Sequence, residues 1–139
     1  MVKEKVLILC TGNSARSQMA EALLRNLAGD RFDVFSAGTH PDRLHPQAVK
    51  AMAEIGIDIS TQSSKSVERF VHDQFDYVIT VCDRARESCP VFPGVGHRMH
   101  HSFEDPAAAP AAEQPGRFRE VRDQIGQWLQ EFIRLQHRK

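Results

Sequence analysis

An α/β fold is predicted for this chain: a single-domain three-layer sandwich with a central four-stranded parallel sheet and helices on both faces. Three observations predict it. Strand-like and helix-like runs alternate along the chain, the pattern of a parallel sheet covered by helices. The two strongest strand runs, Val6-Leu-Ile-Leu9 and Phe75–Val81, are nearly all apolar or β-branched, as strands buried on both sides should be. Cys10 and Cys82 stand immediately after those runs, at the carboxyl edge of a parallel sheet, where sites gather.

The elements follow in order. Lys3 to Leu9 reads as a central strand, ending at Cys10. A helix is predicted from Ser17 to about Ala28, because Met19, Ala20, Leu23, Leu24 and Leu27 recur at helical spacing and Gly29 can stop it. Phe32 to Ala37 is a short second strand, closed by Gly38. His45-Pro46 opens another helix, with proline at a tolerated first position. Its apolar face is Val49, Met52 and Ala53, and Gly56 follows its end. Ile57 to Ser60 is too short to assign. Ser64 or Ser66 caps a brief helix carrying Val67, Phe70 and Val71. After the Phe75–Val81 strand, Asp83 to Pro93 is charged and proline-bounded, so it reads as loop or marginal helix. His97 to His101 is one further strand. Asp105 to Gly116 reads as loop, because Pro106, Pro110 and Pro115 argue against a long helix. The last helix runs from about Arg117 to Leu135, with Phe118, Val121, Ile125, Trp128, Leu129 and Phe132 on one stripe.

Bulk properties narrow the class. With 139 residues the chain is expected to form one domain, residues 1–139, with a real core. Formal net charge is zero, which gives no reason to expect nucleic acid as a partner. No apolar stretch approaches membrane-spanning length, and the chain opens directly on a strand-like segment, so a cytoplasmic protein is expected, without a membrane partner. Three cysteines, Cys10, Cys82 and Cys89, are too few and too odd in number for a secreted disulfide scaffold.

The chemistry gathers at Cys10-Thr-Gly-Asn-Ser-Ala-Arg16-Ser17. A tight loop between a strand end and a helix start points backbone N–H groups, with the Arg16 guanidinium, at one tetrahedral oxyanion. The same positive field holds Cys10 as thiolate, the form that attacks. Gly12 suits a tight turn and Asn13 a left-handed backbone, both of which fit a phosphate-sized nest. The segment lacks the GxxxxGK[ST] and GxGxxG patterns of nucleotide sites. Ser17 either caps the helix or donates its hydroxyl to the Cys10 sulfur. Taken singly, each residue has a blander reading: Arg16 as a solvated helix start, Asp105 as a turn residue before proline, Cys82 as a buried strand end, Cys89 as an incidental loop thiol. His97, His100 and His101 are close in sequence, but adjacent strand residues point to opposite faces, and Cys82 and Cys89 lack zinc spacing, so no metal site is expected.

The chain resembles the low-molecular-weight protein tyrosine phosphatase fold, in its branch of thioredoxin-coupled arsenate reductases. The resemblance rests on CTGNSARSQMAE at 10–21, Ser36-Ala-Gly38, IDIS at 57–60, Val81-Cys82, Cys89-Pro90 and Asp105-Pro106. It implies that arsenate is bound by the loop amides of Thr11, Gly12, Asn13, Ser14, Ala15, Arg16 and Ser17 and by the fork of Arg16. Cys10 then attacks arsenic, and Asp105, protonated when the substrate arrives, protonates the departing oxygen. Cys82 attacks Cys10, arsenite leaves, and Cys89 attacks Cys82 in turn. Thioredoxin reduces the resulting Cys82–Cys89 disulfide, so the Cys82–Cys89 segment has to move. The implied catalytic set is Cys10, Arg16, Ser17, Cys82, Cys89 and Asp105, with no cofactor, in a monomer.

Three departures from the family pattern carry meaning. The residue after Ser14, often cysteine in relatives, is Ala15, and the cycle does not require that thiol. Relatives that bind potassium beside the loop do so at positions matched here by Asn13, Glu21 and Ser36, but the fourth position is Lys65. The Lys65 ammonium is expected to replace the cation and pair with Glu21, leaving little potassium dependence. No tyrosine follows Asp105-Pro106, and the single tyrosine is Tyr77, so the aromatic that guides phosphotyrosine is missing. The rival functions are a low-molecular-weight phosphatase and a non-catalytic module that binds oxyanion or arsenite.

Overall fold

The computed structural model describes residues 2–90, 92 and 96–136. Strand β1 (Glu4–Cys10) leads into α1 (Arg16–Ala28), β2 (Phe32–Gly38) and α2 (Pro46–Ala53). A 3-10 turn (Val67–Phe70), β3 (Tyr77–Thr80), α3 (Asp83–Glu87) and β4 (His97–His100) follow. Two 3-10 turns (Pro106–Ala108 and Ala111–Glu113) then precede α4 (Gln114–Gln136). The sheet has the order β2-β1-β3-β4, and each neighbouring pair is parallel. It is the central sheet of a single-domain α/β sandwich, flanked by helices.

The apolar run of β1 occupies the middle of the sheet because it is buried throughout: Val6, Leu7, Ile8 and Leu9 have no exposed surface. Its carboxyl end lies beside that of β2, with Cys10 paired to Gly38. On the other side Leu9 pairs with Thr80, two residues before Cys82. Parallel pairing therefore brings residues 10, 38 and 82 to one edge. The amphipathic stripe of α4 (Phe118, Val121, Ile125, Leu129 and Phe132) is buried, and the helix packs on α1 and α2.

Several expectations shift. Helix α4 begins at Gln114 rather than Arg117 and takes in Pro115, which is tolerated because N–H groups in a first turn have no helical partner. The prolines upstream are absorbed as 3-10 turns. The Asp83-to-Pro93 segment contains the short helix α3, while Val91 and residues 93–95 lie outside the described residues. Ser66 caps the turn at Val67, accepting from the Glu68 N–H at 3.2 Å, whereas Ser64 turns to the Asn13 carbonyl. Leu27, expected on the buried face of α1, is exposed, and so is Ala53 on α2. Helical periodicity predicts a face but not where the neighbouring layer ends.

Candidate active site

The loop between β1 and α1 closes over Asn13, whose φ of +47° is left-handed, as its residue type tolerates. An outer strand of chain holds the loop by its carbonyls. The Thr39, His40, Asp42 and His45 N–H groups donate to the carbonyls of Cys10, Thr11, Gly12 and Ser14 at 2.8–3.2 Å. Gly38 lies so close beneath the loop that a Cβ there would meet the Thr11 carbonyl oxygen at 2.5 Å. That close approach, rather than a turn, is what requires glycine at 38.

The Cys10 sulfur is buried in this loop. The Asn13 N–H donates to it at 3.2 Å, and the Ser17 hydroxyl lies 2.9 Å away. The hydrogen positions follow from the partners. The Asn13 side-chain oxygen accepts from the Lys65 N–H at 2.8 Å and from Gln18 Nε2, so its Nδ2 is the donating side. That Nδ2 donates to Ser17 Oγ at 2.7 Å and to Ser36 Oγ at 2.9 Å. Ser36 then donates to Glu21 Oε1 at 2.5 Å. Ser17, accepting from Asn13, keeps its own hydrogen free to donate to the sulfur when Cys10 is a thiolate, which can only accept. Two donor branches thus diverge from the Asn13 side-chain amide, one ending on the Glu21 carboxylate and the other on Cys10, where the Asn13 N–H and the Ser17 hydroxyl face the sulfur. Such donors stabilise negative charge where they point.

The Arg16 guanidinium is held by a segment far along the chain. Its Nη1 donates to the Phe103 carbonyl at 3.0 Å, and its Nη2 lies 3.8 Å from Asp105 Oδ2. Asp105 also accepts the Ala107 N–H at 3.0 Å, which caps the first 3-10 turn. Cys82, the residue before α3, lies with its sulfur 3.3 Å from Thr11 Oγ1. Cys10, Arg16, Cys82 and Asp105 therefore line one cleft of about 560 Å³, together with Thr11, Gly12, Ser14 and Ala15. Asn13 and Ser17 lie beneath it, fully buried.

Cys89 is not in that cleft. It is half-buried beyond α3, in a separate small pocket with Val78, Arg98 and Met99. All three thiols are unpaired. The cleft also takes in His40, Asp42, His45 and Arg84, which the sequence did not single out. The signal for the first three was faint, a polar, proline-containing stretch between Gly38 and the α2 start, and Arg84 was one charged residue among several on α3. Gln18 was missed as well, although it is fully buried and holds the Asn13 carbonyl at 2.9 Å.

Lys65 reaches the predicted cation region. Its Nζ lies 3.7 Å from Glu21 Oε1 and donates to the Ser63 carbonyl at 2.7 Å. Burial pushes the Lys65 ammonium below the usual lysine range, and the Glu21 carboxylate partly offsets this. Arg25 adds a second cation on the other Glu21 oxygen at 2.7 Å. The histidines diverge: His100 bridges Thr80 and Asp83, and His101 packs against Phe103 and Trp128. Among the described residues no group of three or more His, Cys, Asp or Glu side chains could hold a metal ion. Among them, too, no helix is long and apolar enough to cross a membrane.

A model of the low molecular weight phosphotyrosine protein phosphatase family matches residues 5–139, a span that takes in Cys10, Arg16, Cys82 and Asp105 of this cleft. The chain belongs to that family. Within it, the chain is 44% identical over 134 residues to an arsenate reductase of Halalkalibacterium halodurans, covering 95% of this chain and 96% of that one. Its fold superposes on a solved arsenate reductase in the oxidised state with a TM-score of 0.82, at 34% identity over 94% of this chain and 96% of that one. A thioredoxin-dependent arsenate reductase of Corynebacterium glutamicum is similar at 30% identity and a TM-score of 0.72, across 95% of this chain and 61% of that larger one.

Proposed function

We propose that this family member reduces arsenate to arsenite through a relay of three cysteines renewed by thioredoxin. The observation that carries this reading is the pair of sulfurs on one cleft: Cys10 inside the oxyanion loop, and Cys82 held at its rim by Thr11. A hydrolase needs the first and has no use for the second.

The steps follow from the residues. Arsenate enters the loop with its oxygens toward the amides from Thr11 to Ser17 and the Arg16 fork. Cys10 attacks arsenic, a sulfur–arsenic bond forms, and one oxygen departs with a proton from Asp105. Cys82 attacks the Cys10 sulfur. The new disulfide takes two electrons' worth of oxidation, the sulfur–arsenic bond breaks, and arsenic leaves as arsenite. Cys89 then attacks Cys82, and Cys10 is released as thiolate. Thioredoxin's dithiol reduces the Cys82–Cys89 disulfide and is itself oxidised.

The third step sets a geometric demand. Cys82 lines the cleft and Cys89 a separate pocket, and a disulfide needs Cα atoms within about 7 Å. The segment between them, with helix α3, therefore has to rearrange. That helix has five residues, so little cooperative helix is lost.

A phosphatase reading keeps the loop and Asp105 but leaves Cys82 and Cys89 idle. It also lacks its aromatic guide, since Tyr77 is buried at the amino end of β3, paired in register with Val6. A cytoplasmic setting fits three thiols that must be kept reduced, and the reading takes the active unit as a monomer.

The test is a coupled assay with arsenate, thioredoxin, thioredoxin reductase and NADPH, with each cysteine changed in turn. Steady turnover should require all three thiols. Peptide mapping should find Cys10–Cys82 in Cys89→Ser and Cys82–Cys89 in the parent. Sustained arsenite production by Cys89→Ser, with thioredoxin as sole reductant, would sink the relay. Phosphate-ester hydrolysis that survives loss of Cys82 and Cys89, without arsenite formation, would favour the phosphatase.

A further inference from the structure

We propose that Arg98 is the positioning residue for the resolving thiol, Cys89. The inference rests on the relay reading above. Cys89 lies outside the cleft, so something other than the oxyanion loop must ready it for attack. Arg98 stands on β4, one of the two edge strands of the sheet. Its Nη1 donates to Cys89 Sγ at 3.5 Å, and its Nη2 donates to the Pro90 carbonyl at 3.2 Å. One rigid fork therefore holds both the sulfur and the backbone that follows it.

The charge pattern supports a role beyond packing. Among the described residues no carboxylate lies within ion-pair distance of Arg98, so its guanidinium is directed to a sulfur and a carbonyl instead. The neighbouring cation, Arg86, lies 4.0 Å from Asp83. Thiolate is the attacking form of cysteine, and a guanidinium donating to sulfur is a counter-charge for it. When the α3 segment rearranges, the long arginine side chain can follow the sulfur toward Cys82. The step assisted is the exchange in which the Cys89–Cys82 bond forms, the Cys10–Cys82 bond breaks, and Cys10 leaves with the electron pair.

The experiment compares Arg98→Met and Arg98→Lys with the parent. The first turnover, run without thioredoxin, needs Cys10 and Cys82 to release arsenite. In Arg98→Met its rate should stay within about twofold of the parent. Peptide mapping after that turnover should find Cys10–Cys82 accumulated where the parent has moved on to Cys82–Cys89. With thioredoxin present, kcat should fall roughly tenfold while kcat/KM for arsenate holds, because the slowed step follows arsenite release. Arg98→Lys should recover most of the loss by restoring a cation. Parental speed of Cys82–Cys89 formation in Arg98→Met overturns the proposal. So does an Arg98→Lys protein as slow as Arg98→Met, since charge would then not be what matters. A parent that releases no arsenite in the first turnover fails the reductase reading itself, and Arg98's role with it.

Discussion

The Ser17 hydroxyl lies 2.9 Å from the Cys10 sulfur while accepting the Asn13 side-chain amide at 2.7 Å. A hydroxyl has one hydrogen, and toward a thiolate, which only accepts, Ser17 gives it to the sulfur. Removing it takes away one of the two donors that face the Cys10 sulfur. Ser17→Ala should lower first-turnover arsenite release roughly tenfold, the scale of one charge-assisted hydrogen bond. The thermal midpoint serves as the control for folding. An unchanged rate would mean that the Asn13 N–H suffices and that Ser17 only packs.

Asp105→Asn separates proton donation from capping. Asparagine can still accept the Ala107 N–H that Asp105 accepts at 3.0 Å, so the 3-10 turn should persist. It cannot supply a proton. First-turnover arsenite release should fall about a hundredfold, within the usual range for general acid catalysis. A loss of only a few-fold, with an intact fold, would assign the proton to water or to a cleft histidine.

Lys65 Nζ lies 3.7 Å from Glu21 Oε1, in the region where the family resemblance predicts a lysine in place of a monovalent cation. Exchanging sodium for potassium should change kcat/KM less than twofold in the parent. Lys65→Asp should make the enzyme respond several-fold to potassium. The sign with pH is definite: burial lowers the Lys65 value, so its charge is present below that value and is lost as pH rises through it. Potassium sensitivity in the parent should therefore emerge on the alkaline side and nowhere below it. A strong potassium effect in the neutral parent contradicts the substitution.

Away from the cleft, Glu54 ties α2 to α4. The hydrogen bond from Arg119, aided by Arg122, holds its carboxyl below the usual carboxylate range. A lowered folded value contributes stability that is full above the ordinary glutamate value, about pH 4.3, and is lost as pH falls through the lowered one. Glu54→Gln should melt below the parent at neutral pH, and the gap should close in strong acid. A gap that stays constant through acid would assign the effect to packing rather than charge.

Local chemistry made much of the site legible in advance. The run Val6–Leu9 announces a buried strand, and the spacing from Cys10 to Arg16 and Ser17 announces an anion loop at a helix start. Cys82 after the third strand run is legible for the same reason, because parallel strands end on one edge. The proline-rich stretch from 105 to 116 misled at its end. Prolines forbid a helix interior but not a first turn, and α4 uses that tolerance.

What the sequence by itself determined is therefore most of the strand and helix order, the placement of Cys10 at the start of the β1–α1 loop, and the presence of three thiols. The tertiary structure alone decided which distant atoms meet. It put the Phe103 carbonyl on Arg16, 87 residues away, seated Gln18 under Asn13, brought the 39–45 chain around the loop, and left Cys89 with Arg98 outside the cleft. Local propensity and periodicity act over a few residues. Contacts between segments far apart in the chain are set by how whole layers pack and by where each buried polar group finds its partner.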